Sequence, residues 1–267
     1  MDNTMSSMEL DLWGQGRWWN TRFWHANQQS AMNDMSDGIR AMFSRSTDKM
    51  DMIAENLANA STPGFRSACV MPRNFVGELH GRLVGHQWRV GTDLTQGSLR
   101  MTERPLDFAM EGEGFFVVRS SYGDFLTRNG SFQVTPDGQL ISAAGYEVLG
   151  DNNQPLQIPR GTSIDSLEVS EDGVLKAGGT EIGRFRLDRV TSEEQLRRVG
   201  TTMFAAAPED RRPAEEARVI GRTLETSNTT VYQELADMMV LTRSVEAAQR
   251  AQNSEAEAQK KMMEALS

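Results

Sequence analysis

The sequence predicts an α+β protein: an antiparallel β-rich central domain, with N- and C-terminal helices that pair into a coiled-coil-like helical domain. Three observations predict it. Near the N-terminus, Ile39, Phe43, Met50, Ile53 and Leu57 repeat at alternating four- and three-residue spacing, interrupted only by Ser46. The same spacing returns near the C-terminus at Val231, Leu235, Met238, Thr242 and Val245. Between the two lie short strand-like runs separated by turn residues, with no helix-length period among them, which disfavours a doubly wound α/β fold.

Residues 1–34 differ from the rest. Trp13, Trp18, Trp19 and Trp24 lie beside Arg17, Arg22 and Phe23, an aromatic and basic cluster of the kind that touches membrane surfaces. No sustained helical period supports that reading. Met32 and Met35 offer natural starts, so the segment is expected to be an extension outside the fold, without order of its own.

The N-terminal helix should end near Ala60. Pro63 disfavours the helical conformation at Thr62, and Gly64 accepts backbone angles that other residues resist. Phe65 then begins an extended run. Residues 65–110 read as a bridge punctuated by Gly77, Gly81, Gly85, Gly91 and Gly97.

The β body is expected over 111–223. Phe115-Phe116-Val117-Val118 reads as a strand. Phe125-Leu126-Thr127-Arg128 and Phe132-Gln133-Val134 flank Asn129-Gly130, a tight-turn dipeptide. Asp137-Gly138 leads into Gln139-Leu140-Ile141, and Tyr146-Glu147-Val148-Leu149 follows Gly145. Glu171-Asp172-Gly173 separates Leu167-Glu168-Val169 from Val174-Leu175-Lys176, and Phe185-Arg186-Leu187 alternates apolar with charged residues.

The last helix should start near Thr230, where Thr230-Val231-Tyr232-Gln233 fits a capping box and Ser227 and Asn228 compete as caps. Its seam continues through Gln249, Gln252, Ala256, Gln259, Met263 and Leu266, and its middle is polar. Glu246 and Arg250 sit four apart and add only a few tenths of a kcal/mol, roughly. Residues 35–64 and 224–267 together make the predicted terminal helical domain.

Composition narrows the function classes. The 267 residues carry a net charge of −9, and the pI is about 5.0, which argues against nucleic-acid binding. No apolar run reaches transmembrane length, and the N-terminus lacks the pattern of a cleaved secretory signal. Cys69 is the single cysteine, so an internal disulfide is excluded and a small half-buried residue is expected.

No catalytic constellation emerges, and no catalytic, cofactor or metal residue is assigned. His25, His80 and His86 lack metal-ligand spacing. Gly112-Glu113-Gly114 lacks the third glycine of a dinucleotide loop and precedes a strand, so it is expected to turn the backbone into Phe115. Asp107, Glu111 and Glu113 would share one face of an extended segment as solvated carboxylates.

Four ordered blocks resemble the bacterial flagellar rod and hook family of axial proteins. They are Asn56-Leu57-Ala58-Asn59-Ala60-Ser61-Thr62-Pro63-Gly64-Phe65; Gln96-Gly97-Ser98-Leu99 with Arg104-Pro105-Leu106-Asp107-Phe108-Ala109 and Glu111-Gly112-Glu113-Gly114-Phe115-Phe116; Leu126 to Phe132; and Leu224-Glu225-Thr226-Ser227-Asn228 leading to Asp237-Met238-Met239. The wording Ala60 to Arg66 and the short bridge look most like the proximal rod branch, with the distal rod next. Thr226, Thr229 and the stretch Arg243-Ser244-Val245-Glu246 depart from the family's common pattern.

The resemblance implies a structural, non-enzymatic subunit of the flagellar basal-body rod. Its terminal helices would assemble into a hollow shaft that transmits motor torque to the hook. The implied assembly interface is Ile39, Phe43, Met50, Ile53, Asn56, Leu57, Asn59, Pro63, Gly64, Phe65, Leu224, Ser227, Asn228, Val231, Leu235, Met238 and Val245. The implied partners are further copies, other rod proteins, the hook and the export apparatus. No nucleic acid, small-molecule substrate or cofactor is implied. The implied location is the periplasmic rod of the basal body, reached by flagellar export without a cleaved signal peptide. The alternatives are a distal rod or hook-type subunit, or a non-flagellar β-domain binding or scaffold protein with a concave pocket on its β body.

Overall fold

Helix α1 covers residues 42–58 and breaks into turns over 59–64, where Pro63 and Gly64 stand. The structure, a computed structural model, describes Gly38 and residues 42–71 and 89–266. Ile39, the histidines and the tryptophan-rich segment lie outside the described residues. Helix α2, Val231–Leu266, closes the chain. The fold is α+β, and among the described residues every strand pairing is antiparallel.

Two compact units divide the chain. One holds residues 50–239; the other holds the described residues up to 49 together with those from 240 onward. Both helices contribute to both units.

Phe115–Ser120 is the centre of the larger unit. It pairs with Gly123–Thr127 on one edge and with Glu147–Val148 and Leu187–Val190 on the other. The sheet continues outward through Met203–Ala205 and Arg197–Val199 on one side, and through Leu140–Ser142 and Phe132–Val134 on the other. Leu167–Val169, Val174–Ala177 and Thr180–Arg184 form a separate three-stranded sheet. Three two-stranded pieces join distant parts of the chain: Ala68–Met71 with Arg89–Thr92, Phe108–Glu111 with Arg218–Gly221, and Leu99–Met101 with Thr223–Glu225.

The unbroken apolar run at 115–118 follows from burial on both faces. Successive side chains point to opposite sides. Phe116 and Val118 join Phe108, Phe132, Leu140, Val148 and Phe185 in the main core, whereas Phe115 and Val117 join Leu126, Leu149 and Phe204 in a second. The Phe185 ring lies 5.2 Å from Phe108, 5.5 Å from Phe116 and 6.0 Å from Phe132, centroid to centroid. Tilted and edge-on aromatic pairs at such distances each add about 0.5–1.5 kcal/mol beyond area burial.

Asn129-Gly130 is not the hairpin turn its dipeptide suggests. The strands on its two sides pair elsewhere, Gly123–Thr127 with Phe115–Ser120 and Phe132–Val134 with Leu140–Ser142. Gly130 serves a close backbone approach instead. Phe108 N donates to Gly130 O at 3.0 Å, and a Cβ on Gly130 would lie 1.7 Å from Phe108 O. Asp137-Gly138 and Asp172-Gly173 do turn between paired strands, with Gly138 and Gly173 at φ +86° and +78°.

Candidate functional site: the junction of the chain ends

The end of α1, the start of α2 and the edge of the β body meet in one polar junction within residues 50–239. It begins at Gly64. Its φ of +67° suits glycine, and a Cβ there would stand 2.3 Å from Asn129 N. Gly64 N donates to Glu225 O at 2.8 Å, which ties the helix stop to the last strand before α2. Upstream, Thr62 Oγ1 donates to Asn59 Oδ1, and Asn59 Nδ2 donates to Glu55 O, which holds the last turn of α1.

Asn228 is the second tie. Its Oδ1 accepts from Ser67 N at 2.7 Å, and its Nδ2 donates to Asp93 O and Thr95 O at 3.0 and 3.1 Å. The side chain therefore joins three segments rather than capping α2. Ser227 Oγ accepts from Thr229 N. Gly97 sits where a Cβ would lie 2.0 Å from Thr226 O, and Thr226 N donates to Ser98 O at 2.8 Å.

At the centre is a buried cluster of charge. Glu225 is 1% exposed and Arg66 is 1% exposed, and they meet at 2.6 Å through Oε1 and Nη1. Gly97 N donates to the same Glu225 oxygen at 2.9 Å. Arg128 approaches the other oxygen at 3.4 Å and donates to Gly112 O at 2.6 Å. Burial pushes the Arg128 guanidinium down to about 10, against the opposing pull of Glu225. Arg66 Nε and Nη2 and Arg128 Nε are buried without an acceptor. Arg198 closes the outer side, with its guanidinium 5.1 Å from the Phe65 ring centroid and 5.3 Å from that of Phe204. Burial lowers its pKa, opposed by the charge of Glu55.

The residues singled out in the sequence fall into three groups. Ile53, Asn56, Gly64, Phe65, Leu224 and Ser227 are buried; Phe43, Met50, Leu57, Asn59, Pro63, Asn228, Met238 and Val245 are half-buried; Val231 and Leu235 are exposed. Asn56, Gly64, Phe65, Ser227 and Asn228 come together in the junction. The half-buried stripe of α2 runs Glu234, Met238, Leu241, Val245 and Ala248, so the expected seam splits: Val231, Leu235 and Thr242 face outward. Arg66, Glu225, Arg128 and Arg198 were not singled out. Arg66 and Glu225 sit inside motif blocks, but nothing local marks a charged residue for burial. Their partners lie far along the chain.

The three acids expected on one solvated face do not share it. Asp107 is 1% exposed, accepting from Thr102 Oγ1 at 2.9 Å and standing 3.4 Å from Arg104. Glu111 and Glu113 are exposed. Pairing of Phe108–Glu111 with Arg218–Gly221 turns the chain at Asp107 inward. Cys69 is half-buried. Among the described residues no group of His, Cys, Asp and Glu could hold a metal ion.

Two open clefts mark the β body. One of about 550 Å³ is lined by both signs of charge, including Asp151, Arg184, Arg186, Asp188 and Arg211. The other, about 380 Å³, is lined by neutral residues that include Asn59, Thr62, Thr127, Asn129 and Thr202. Neither brings an acid and a base together around an enclosed apolar pocket, as small-molecule sites do.

Comparison with known proteins points to one family. Residues 44–66 match the family model "Flagella basal body rod protein". Residues 109–177 match "Flagellar hook protein FlgE/F/G D1 domain". The chain is 32% identical over 222 residues to the flagellar basal-body rod protein FlgF of Escherichia coli, covering 76% of this chain and 86% of that protein. It is 28% identical to the FlgF of Caulobacter vibrioides, covering 82% and 91%. To the flagellar basal-body rod protein FlgG of Borreliella burgdorferi it is 25% identical, covering 74% and 85%. The first family match ends on Arg66, inside the junction; the second includes Arg128 of the same buried charge cluster.

Proposed function

The chain belongs to the flagellar basal-body rod protein family, and from that premise we propose that it is a structural subunit of the rod, of the proximal FlgF type, whose terminal helices pack against those of neighbouring subunits. The FlgF-named relatives quoted above reach higher identity than the FlgG-named one, which supports the proximal type. The terminal helices would pair in coiled-coil fashion and form the inner tube of a hollow shaft, with the β body as its outer layer. The shaft would carry motor torque to the hook. Its partners are further copies, other rod proteins and the hook, and its place is the periplasmic rod. The chain would reach it unfolded through the export apparatus.

One observation carries this reading. Helix α2 has a half-buried stripe and, beside it, a second ridge that none of the described residues covers: Val231, Leu235 and Met239 are 39%, 41% and 58% exposed, and Tyr232 is 86% exposed. Apolar residues at i, i+4 and i+8 on one exposed face are suited to a second helix.

The test is the double variant Leu235→Lys/Met239→Lys in the full chain. The β body should keep its thermal unfolding midpoint, while incorporation into basal bodies and swimming are lost. A motile cell with the variant in its rods would overturn the reading.

A further inference from the structure

Arg66 comes from the helix stop, Arg128 from the middle of the chain, and Glu225 from the strand that feeds α2. Among the described residues Glu225 is the carboxylate within 4.0 Å of either guanidinium. Their other acceptors are carbonyls: Thr95 O for Arg66, and Gly112 O and Met110 O for Arg128. Carbonyls satisfy donors but do not neutralise charge. Three donor nitrogens of the pair stay unmet even with Glu225 in place. Without it, two buried cations would be uncompensated, which strongly disfavours the closed state.

The same strand supplies the other ties. Glu225 O holds Gly64 N, Glu225 Oε1 holds Gly97 N, Thr226 N holds Ser98 O, and Asn228 three residues later holds Ser67 N. Each group held by these four ties lies more than 90 residues earlier in the chain. None of these contacts can form before Glu225 is present, and the set is complete only when the chain extends through Asn228.

We propose that Glu225 is the closing element of a completion latch: arrival of segment 223–228 neutralises Arg66 and Arg128 and in the same step anchors the roots of both terminal helices to the β body. Before that arrival the turn at 59–66 and the loop at 93–98 lack their ties to the final strand, and the root of α1 is held to the body only through contacts such as those of Arg198 with Phe65 and Arg66. The latch is a conformational switch within one chain and stands independently of the rod reading. It denies an incomplete chain the fixed helix roots of a finished one.

Native-state amide hydrogen exchange on the full-length chain tests this in two arms. In the wild type, the amides of Gly64, Ser67, Gly97 and Thr226 should open together, with one opening free energy and one denaturant dependence. Separate opening energies for these four would overturn the latch, whatever the variants do. In the full-length Glu225→Gln variant, the four amides should lose at least about tenfold in protection, because one buried partner of a charge cluster has been removed. Val117, Leu140 and Leu149, whose amides donate to Arg186, Leu156 and Val117 inside the body, should change less than about threefold, as expected of a separate cooperative unit. A smaller loss at the junction, or an equal loss in the body, would overturn the proposal. If Glu225→Gln does not fold, the wild-type arm decides alone.

Discussion

The carboxamide of Asn56 satisfies both backbone groups of Ala68: Oδ1 accepts from Ala68 N at 2.8 Å, and Nδ2 donates to Ala68 O at 2.9 Å. A helix side chain thus stands where a neighbouring strand would, at the first residue of Ala68–Met71. The second Nδ2 hydrogen goes to Glu234 Oε1 at 2.8 Å, so one side chain links α1, the β edge and the first turn of α2.

Removing it should be expensive. Ala68 is 5% exposed, so Asn56→Ala leaves two buried backbone groups unmet, at about 1–3 kcal/mol each before any water enters. We expect a loss of about 2–4 kcal/mol in urea unfolding. A loss under about 1 kcal/mol would mean that water replaces the carboxamide at this edge.

Glycine substitutions should separate crowding from backbone strain. Gly64→Ala meets the backbone of Arg128 and Asn129 and needs a left-handed conformation. Gly123→Ala needs an unusual backbone too, at φ +126°, but has open space around it. Thermal unfolding should fall clearly further for Gly64→Ala than for Gly123→Ala, whose strain is on the order of 1–3 kcal/mol. Equal shifts would show that the main chain at 128–129 yields.

Arg198→Lys should not be a conservative change. The planar guanidinium lies over Phe65 and Phe204 and donates to Arg66 O and Thr201 O. Lysine offers neither the plane nor the fork. Stability should drop by about 1–2 kcal/mol, with Arg198→Met losing no less; chemical denaturation of the two variants checks this.

Arg128 gives a pH signature with a defined sign. Its guanidinium is held down at about 10, well below the ordinary guanidinium value. The unfolded chain therefore binds this proton more tightly than the folded one. Stability contributed by the site rises as pH climbs from about 10 toward the ordinary guanidinium value. Relative to Arg128→Met, which cancels the other titrating groups, the wild type should gain stability across that window and show no difference in slope near neutral pH. A relative loss on the alkaline side would reverse the assignment of burial as the dominant cause.

Much of the fold was legible. Pro63-Gly64 marks the end of α1 because its backbone constraint is local, and helix ends at Ala58 with turns following. The unbroken apolar run at 115–118 and the turns at Asp137-Gly138 and Asp172-Gly173 are readable for the same reason. Asn129-Gly130 misled because its geometry is set by Phe108, more than 20 residues away, whose backbone needs room that only a glycine leaves. Asp107 misled because burial depends on which strand covers it. The seam of α2 was readable as a period but not as a face: spacing gives a stripe, and only packing decides whether Leu235 or Leu241 turns inward.

By itself the sequence determined the two terminal helices, the strand-rich body between them, the position of the helix stop and the family. All of these rest on period, turn chemistry and motif wording, which act over a few residues. Only the tertiary structure decided that the helix stop and the final strand meet, and that Arg66, Arg128 and Glu225 share one buried site. A charge looks solvent-bound in any local window. It becomes an interior residue only when a partner from the far end of the chain offsets its desolvation.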